Sequence, residues 1–327
     1  MPETDIHAAK LVDIPVIQRL VEKGMLLDSE LACTREVIGQ HKLTNLLPGR
    51  SVVTLVGRID SQRIAGQFRL KAGEHLAQIV YIAPGLTENR SDTAWLELVD
   101  SMAAEAGRRG AHMLTCEVDE DSPLFVTLRT AGFAVYARQE VWKRATGVSI
   151  PDDITPADLQ PETDADAMEV QLLYCNIVPR LVQPVAVPSS ESQGFVYRGA
   201  GDRIQGYIAV TEGKSGIYLM PFLHPDIPYH DAASILAGAI LRANARANRA
   251  EKLPVYVCVR RFQDWLEEGL TELGFESCKQ QAVMVRHIAA GIRQAVFAPL
   301  KQALEAVPVG IRPPTTPISK SVIDQGE

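Results

Sequence analysis

Two acids set two residues apart, Glu117 and Asp119 in the run TCEVDED, are the side chains of this sequence best suited to taking a proton. Side chains alternate along an extended strand, so Glu117 and Asp119 would share one face while Cys116 and Val118 share the other. A carboxylate on the open face of a sheet could draw a substrate amine and accept its proton. The same carboxylate could equally be solvated or ion-paired. His224, Asp226, His230 and Asp231 cluster in one loop and are ligand types that zinc accepts, but their spacing matches no established site, so no metal is expected. Arg260 and Arg261 follow a strand-like run and suit either an anionic ligand or plain solvation. No G-x-S-x-G, Walker loop or H-E-x-x-H occurs, which leaves hydrolase, nucleotide-binding and zinc-protease readings without residues.

Composition narrows the partners. The 327 residues are 46% hydrophobic and 22% charged, as in a soluble globular protein, and their number suits two domains of ordinary size. A net charge of −7, with no basic stripe, argues against nucleic acid as a partner, since gripping its backbone needs a concentrated positive surface. Five widely spaced cysteines with no C-x-x-C pair fit a reducing compartment. The opening MPETDIHAAK has no signal-like apolar core and no segment reaches membrane-spanning length, so a cytoplasmic protein without a membrane partner is expected.

Any such chemistry has to be held in place by the elements around it. Apolar spacing predicts a strand over 5–10, a helix within 12–24, a second around 31–40, and strands over 52–59, 63–70 and 76–83. A helix over 93–109 has its apolar face at positions 95, 96, 99, 102, 103 and 106 and ends at Gly110. A strand over 112–118, a short helix over 122–131 stopped at Gly132, and a closing strand over 133–142 complete the first run. Residues 145–164, with three prolines and several acids, read as an extended, solvated linker.

The order then recurs: a helix over 165–175, a Pro/Ser-rich loop over 183–193, strands over 195–198, 203–211 and 216–223, and a long helix over 231–248. A strand over 255–259, a helix over 262–273 stopped at Gly274, and a strand over 275–287 follow. Gly132-Phe133 and Gly274-Phe275 stand 142 residues apart, and Pro84 and Pro225 stand 141 apart, so one unit is used twice. The expected boundaries are 1–145 and 165–290 for the two units and 146–164 for the linker. A closing helix over 289–305 and a flexible tail are expected within 291–327.

IVYIAP running into DTAWLELVDSMAAEAG, then LRTAGF, and in the second half YLMPFLHP, DAASILAGAILRANARA and LTELGF, resemble the GNAT superfamily of acyl-CoA-dependent N-acyltransferases. The resemblance implies two tandem α/β (α+β) domains, each with a mixed, mostly antiparallel sheet flanked by helices. It also implies acetyl-CoA or another acyl-CoA as cofactor and a small-molecule or protein amine as acceptor. In that family a glycine-rich loop after the fourth strand turns its amides toward the coenzyme's pyrophosphate at a helix N-terminus. The matching positions here run Thr87, Glu88, Asn89, Arg90, Ser91, Asp92 and Pro228, Tyr229, His230, Asp231, Ala232, Ala233, with no glycine in either copy. By position, Asn89, Arg90, Ser91, His230, Ala232 and Ala233 would face the phosphates, and backbone near Ile82, Ala83, Phe222 and Leu223 would pair with the pantetheine arm.

Asp92 and Asp231 read as N-caps whose carboxylates would occupy those amides and repel phosphate. The family's proton-donating tyrosine is replaced by Leu128 and Leu270, and its helix-opening asparagine by Asp121 and Gln263. General-base positions on the fourth and fifth strands fall on Glu117 and Asp119 in the first copy and on Tyr218 and Tyr256 in the second. Two readings remain open: an N-acyltransferase, with one copy or both active, and a scaffold that keeps the sheets without the chemistry and binds a ligand or a partner protein.

Overall fold

The computed structural model describes residues 4–21, 23–34, 51–59, 62–71, 73–87, 91–188, 192–199, 201–246 and 253–288. Met1–Ala289 form one compact unit. The closing helix and tail expected beyond residue 288 lie outside the described residues, as does the part of the second expected helix beyond Thr34.

The first half runs β1 (Thr4–Ala8), α1 (Ile14–Val21), β2 (Met25–Leu26), α2 (Ser29–Thr34), β3 (Val52–Ile59), β4 (Gln62–Arg69) and β5 (Leu76–Ala83). It continues through α3 (Thr93–Arg108), β6 (Met113–Asp119), α4 (Pro123–Thr130) and β7 (Ala134–Arg144). The second half runs β8 (Gln160–Pro161), α5 (Ala167–Ile177), β9 (Gln193–Arg198), β10 (Ile204–Glu212), β11 (Ile217–Leu223) and α6 (Tyr229–Arg246). It ends with β12 (Val255–Arg260), α7 (Glu267–Glu272) and β13 (Glu276–His287).

The apolar stripes drive the packing. Trp95, Leu98 and Met102 of α3 are fully buried and join Phe68, Ile79 and Cys116 of the sheet in the first core. Ile235, Leu236 and Ile240 of α6 meet Leu219 and Val257 in the second. A third cluster, with Leu173, Tyr207, Tyr218, Phe222 and Cys258, lies where α5 packs on the sheet. Gly132 and Gly274 sit at φ +84° and +77° directly after the short helices, the left-handed conformation that ends a helix and that glycine adopts most cheaply.

All the strands join one sheet, in the order β1-β3-β4-β5-β6-β13-β7-β12-β11-β10-β9-β8, with β2 attached to β5. Each half contributes an antiparallel run followed by one parallel pair, β5 with β6 and β11 with β12. The closing strands do not stay at home. β7 pairs with β12 of the second half and β13 with β6 of the first, and the two pair with each other in the middle. The exchange carries Trp142 into the second core and Ala282 and Met284 into the first. Simple repetition of a unit predicts a closing strand that finishes its own sheet, and here each finishes the other.

Residues 145–164 are mostly solvent-exposed, and a few of them anchor the segment on the second core. Leu159 is fully buried in the second core, Ile150, Ile154 and Ala157 pack against it, and the Ala157 N–H donates to the Ser234 carbonyl at 2.9 Å. Gly238 of α6 makes room for this segment, because a Cβ there would stand 2.3 Å from the Ala157 carbonyl oxygen. By helix propensity alone Gly238→Ala would stabilise by about 1 kcal/mol. The clash reverses the sign, and urea denaturation is expected to show a loss of about 1–3 kcal/mol.

Candidate functional site

In each half the parallel pair holds together for three residues and then parts. Leu76–Gln78 pair with Met113–Thr115, and Ile217–Leu219 with Val255–Val257, with no ladder beyond. Each parting leaves a wedge between main chains that have hydrogen-bonding groups to satisfy.

The first wedge is filled by the chain itself. Met25 and Leu26 pair antiparallel with Ile82 and Tyr81. The Leu27 N–H donates to the Val80 carbonyl at 3.1 Å, and the Glu117 N–H donates to the Leu27 carbonyl at 3.0 Å, so Leu27 bridges the two strands. Leu27 is 1% exposed. The Ser29 N–H then donates to Glu117 Oε2 at 2.8 Å, tying the start of α2 to β6.

The second wedge has no such occupant among the described residues. The buried Gln263 side chain reaches across there, its Nε2 donating to the Leu223 carbonyl at 3.3 Å. Beside it, between α5 and strands β10 and β11, lies a mainly apolar cavity of about 250 Å³, lined by Leu173, Tyr174, Val187, Pro188, Tyr207 and Phe222, among others. The Tyr207 hydroxyl donates to Glu162 Oε2 at 3.0 Å, and the Tyr174 hydroxyl donates to the Gln183 carbonyl at 2.5 Å. The α5 that roofs this cavity is held at its start by Asp166, which accepts from the Thr163 N–H and hydroxyl at 2.8 and 2.7 Å and pairs with Arg198. The Thr163 bonds first, and Arg198 after them, hold the Asp166 carboxyl below the usual carboxylate range.

The halves meet over a buried polar joint. Gln139 and Gln281 face each other across β7 and β13, with Gln139 Nε2 donating to Gln281 Oε1 at 3.2 Å. Ser29 Oγ donates to the same oxygen at 2.5 Å, and Gln281 Nε2 donates to Asp119 Oδ1 at 2.9 Å. Arg260, 3% exposed, approaches Glu117 Oε1 at 3.9 Å and donates from Nη2 to the Val185 carbonyl at 3.4 Å.

No protein-family model matches the sequence, and comparison with curated proteins finds no match. The fold does have counterparts among solved structures. A GCN5-related N-acetyltransferase from Sphaerobacter thermophilus superposes with TM-score 0.57 at 14% identity, over 88% of this chain and 97% of that one. A tandem GNAT protein from the clavulanic acid biosynthesis pathway, solved without AcCoA, gives 0.52 at 15% identity, over 88% and 99%. The glucosamine N-acetyltransferase region of a fungal multi-domain GH3 β-N-acetylglucosaminidase gives 0.53 at 10% identity, over 88% of this chain and 38% of that one.

The chain has the GNAT fold. Within that GNAT frame the residues singled out from the sequence fall as follows. Glu117 lies not on an open sheet face but beneath α2, 9% exposed, and Asp119 lies at the joint between Gln281 and Lys279. Tyr218 and Tyr256 face each other across β11 and β12. Tyr218 is 2% exposed beside Cys258, and burial drives its pKa well above the ordinary value. Ile82 is engaged by Met25, Ala83 is paired with Ala65, and Phe222 and Leu223 line up with Tyr207 and Gly206. Asn89 and Arg90 lie outside the described residues, whereas Ser91 is exposed just before α3.

The caps differ from expectation. Asp92 does stand at the N-cap of α3, but its carboxylate accepts from the Thr127 hydroxyl at 3.2 Å and leaves the helix amides alone. Asp231 is the third residue of α6, and Pro228 takes the capping role. The Pro228 carbonyl accepts from the Asp231 and Ala232 N–H groups at 3.0 and 3.1 Å. Ala232 and Ala233 face the core, His230 is exposed, and the amides of Tyr229 and His230 open the helix without main-chain acceptors among the described residues. Leu128 and Leu270 are core residues, and Ser122, not Asp121, caps α4. Gln263 figures in the sequence only as the replacement for the family's helix-opening asparagine, and neither Leu27 nor Tyr207 belongs to a motif; the alternation of apolar residues in β10 is the signal that points to Tyr207. Among the described residues no group of three or more His, Cys, Asp or Glu side chains is placed to hold a metal ion, and no helix is long and apolar enough to cross a membrane.

Burial raises the phenol of Tyr174 to about 12 and pushes Tyr81, Tyr207 and Tyr218 up as well. A group that holds its proton more tightly when folded contributes stability in full below its unfolded pKa, about 10 for tyrosine, and loses it as pH rises through the folded value. Thermal unfolding followed against pH is therefore expected to show a midpoint falling above about pH 10. Absorbance at 295 nm should show these four phenols still protonated until the chain unfolds.

Proposed function

We propose that the protein is an acyl-CoA-dependent N-acyltransferase in which the second half binds the coenzyme and the first half serves as its structural partner. The observation that carries this is the difference between the wedges: one holds Met25–Ser29, whereas the other lacks a chain occupant among the described residues and adjoins the 250 Å³ cavity. The pantetheine arm would pair with main chain near Phe222 and Leu223, and the pyrophosphate would meet the open amides of Tyr229 and His230 at the positive end of α6. With Pro228 lacking an N–H and the Asp231 and Ala232 amides already engaged, this cradle is weaker than a glycine-rich one.

The acceptor, a primary amine of a small molecule or a protein, would enter the cavity as the free base. Its nitrogen attacks the thioester carbonyl and sheds one proton to solvent, the C–S bond breaks, and the leaving thiolate takes up a proton, giving the amide and the free thiol. Tyr174 and Tyr207 line the cavity as phenols whose hydroxyls donate to the Gln183 carbonyl and to Glu162 and whose pKa values burial raises, so water is the source of that proton. Five free thiols, none paired, suit a cytoplasmic setting.

Isothermal titration with acetyl-CoA tests the reading. Binding is expected for the wild-type chain. His230→Glu, which adds a negative charge at the exposed start of α6, should weaken it by about threefold to tenfold. The matching Ser91→Glu change before α3 should leave it as it was. No binding at millimolar acetyl-CoA would sink the enzyme reading in favour of a scaffold, and a loss confined to Ser91→Glu would move the coenzyme to the first half.

A further inference from the structure

The walls of the cavity beside the second wedge say what kind of molecule they suit. Leu173 and Tyr174 of α5 lie over Tyr207 of β10 and Phe222 of β11, with Val187 and Pro188 from the loop between α5 and β9. The ring centres of Tyr174 and Tyr207 stand 5.6 and 6.2 Å from that of Phe222, so aromatic surface dominates the interior. No Asp, Glu, Lys, Arg or His is among the described residues that line the cavity. The carboxylate bonded to a wall residue, Glu162, accepts from the Tyr207 hydroxyl and is not itself in the lining.

Exposed apolar side chains gather at the same place. Of the nine large hydrophobic side chains exposed among the described residues, four belong to α5 and the loop after it: Met168, Leu172, Leu181 and Val187. Val187, 64% exposed, also lines the cavity, which carries the apolar surface from the interior out to solvent. Apolar side chains grouped on a surface in this way mark a site for an apolar partner.

These walls restrict the acceptor. Its nitrogen must reach the thioester in the wedge, so the cavity takes the body of the molecule. A carboxylate, a phosphate or several hydroxyls on that body would lose water there and find no counter-charge in return. Nor would the walls hold an ammonium group: desolvation favours the uncharged amine, the form that attacks a thioester. A volume of about 250 Å³ has room for about eight waters, and so for a chain or ring of about as many carbons.

We infer that the acceptor is a primary amine carried on an uncharged apolar body, alkyl or aryl, that fills this cavity. The inference rests on the acyltransferase reading for its amine end and on the cavity walls for its body.

Straight-chain amines from propylamine to decylamine, together with 2-phenylethylamine, are titrated into the full chain without coenzyme A. Ethanolamine and phenylalanine serve as partners of propylamine and 2-phenylethylamine that add a hydroxyl and a carboxylate. Affinity is expected to rise about fourfold per CH₂ and to level off near eight carbons. Phenylalanine should bind about tenfold or more weakly than 2-phenylethylamine. Val170→Phe puts a larger side chain at a half-buried lining position of α5 and should bring the levelling-off to chains about two to four carbons shorter. A flat series, phenylalanine binding as well as 2-phenylethylamine, or a levelling-off unmoved in Val170→Phe would overturn the inference. If acetyl-CoA fails to bind, the acyltransferase reading falls and the chain-length series still decides the apolar site. If the coenzyme binds and ethanolamine or phenylalanine is acetylated with a higher kcat/KM than octylamine, the inference falls alone.

Discussion

The pairing of β7 with β13 is the interaction on which the rest of the molecule depends. A strand that ends a sheet leaves a row of main-chain donors and acceptors unpaired, and each half would present such an edge at β6 or β12 if its closing strand were absent. Here each half supplies the strand the other lacks, and the two donated strands satisfy each other along their remaining edges. The hydrophobic cores follow, since Trp142 belongs by packing to the second half, and Ala282 and Met284 to the first. Neither half is therefore complete without the other, and two repeats become one compact unit.

This exchange also makes the polar joint. It sets Gln139 against Gln281 in the middle of the sheet and brings the ends of β6 and β12, with Glu117, Asp119 and Arg260, to either side of them. Burying a charged pair at 3.9 Å does little for stability, because desolvation takes back most of the Coulomb attraction. A stable joint would be made more simply from apolar side chains.

The two wedges show how one backbone plan diverges in use. In the first half the stretch from Met25 to Ser29 reaches across from β5 to β6 and satisfies groups on both, which closes the space from within. In the second half the corresponding space keeps a buried glutamine at its mouth and a mainly apolar cavity at its side. A duplicated fold has the wedge twice, and here one copy fills it from its own chain.

The sequence alone determined the elements and their repetition. Local patterns suffice for this: alternation in β3 to β5, the stripe of α3, the glycines at 132 and 274, and the polar links between strands all act over a few residues. Tertiary structure alone decided which sheet each closing strand completes, where residues 145–164 anchor on the second core, that Asp92 turns to Thr127, and that Glu117 is covered. An alternating strand fits any edge of matching length, and a carboxylate accepts from whichever donor the fold brings near. Those choices rest on groups more than a hundred residues apart in the chain, where no local pattern carries information.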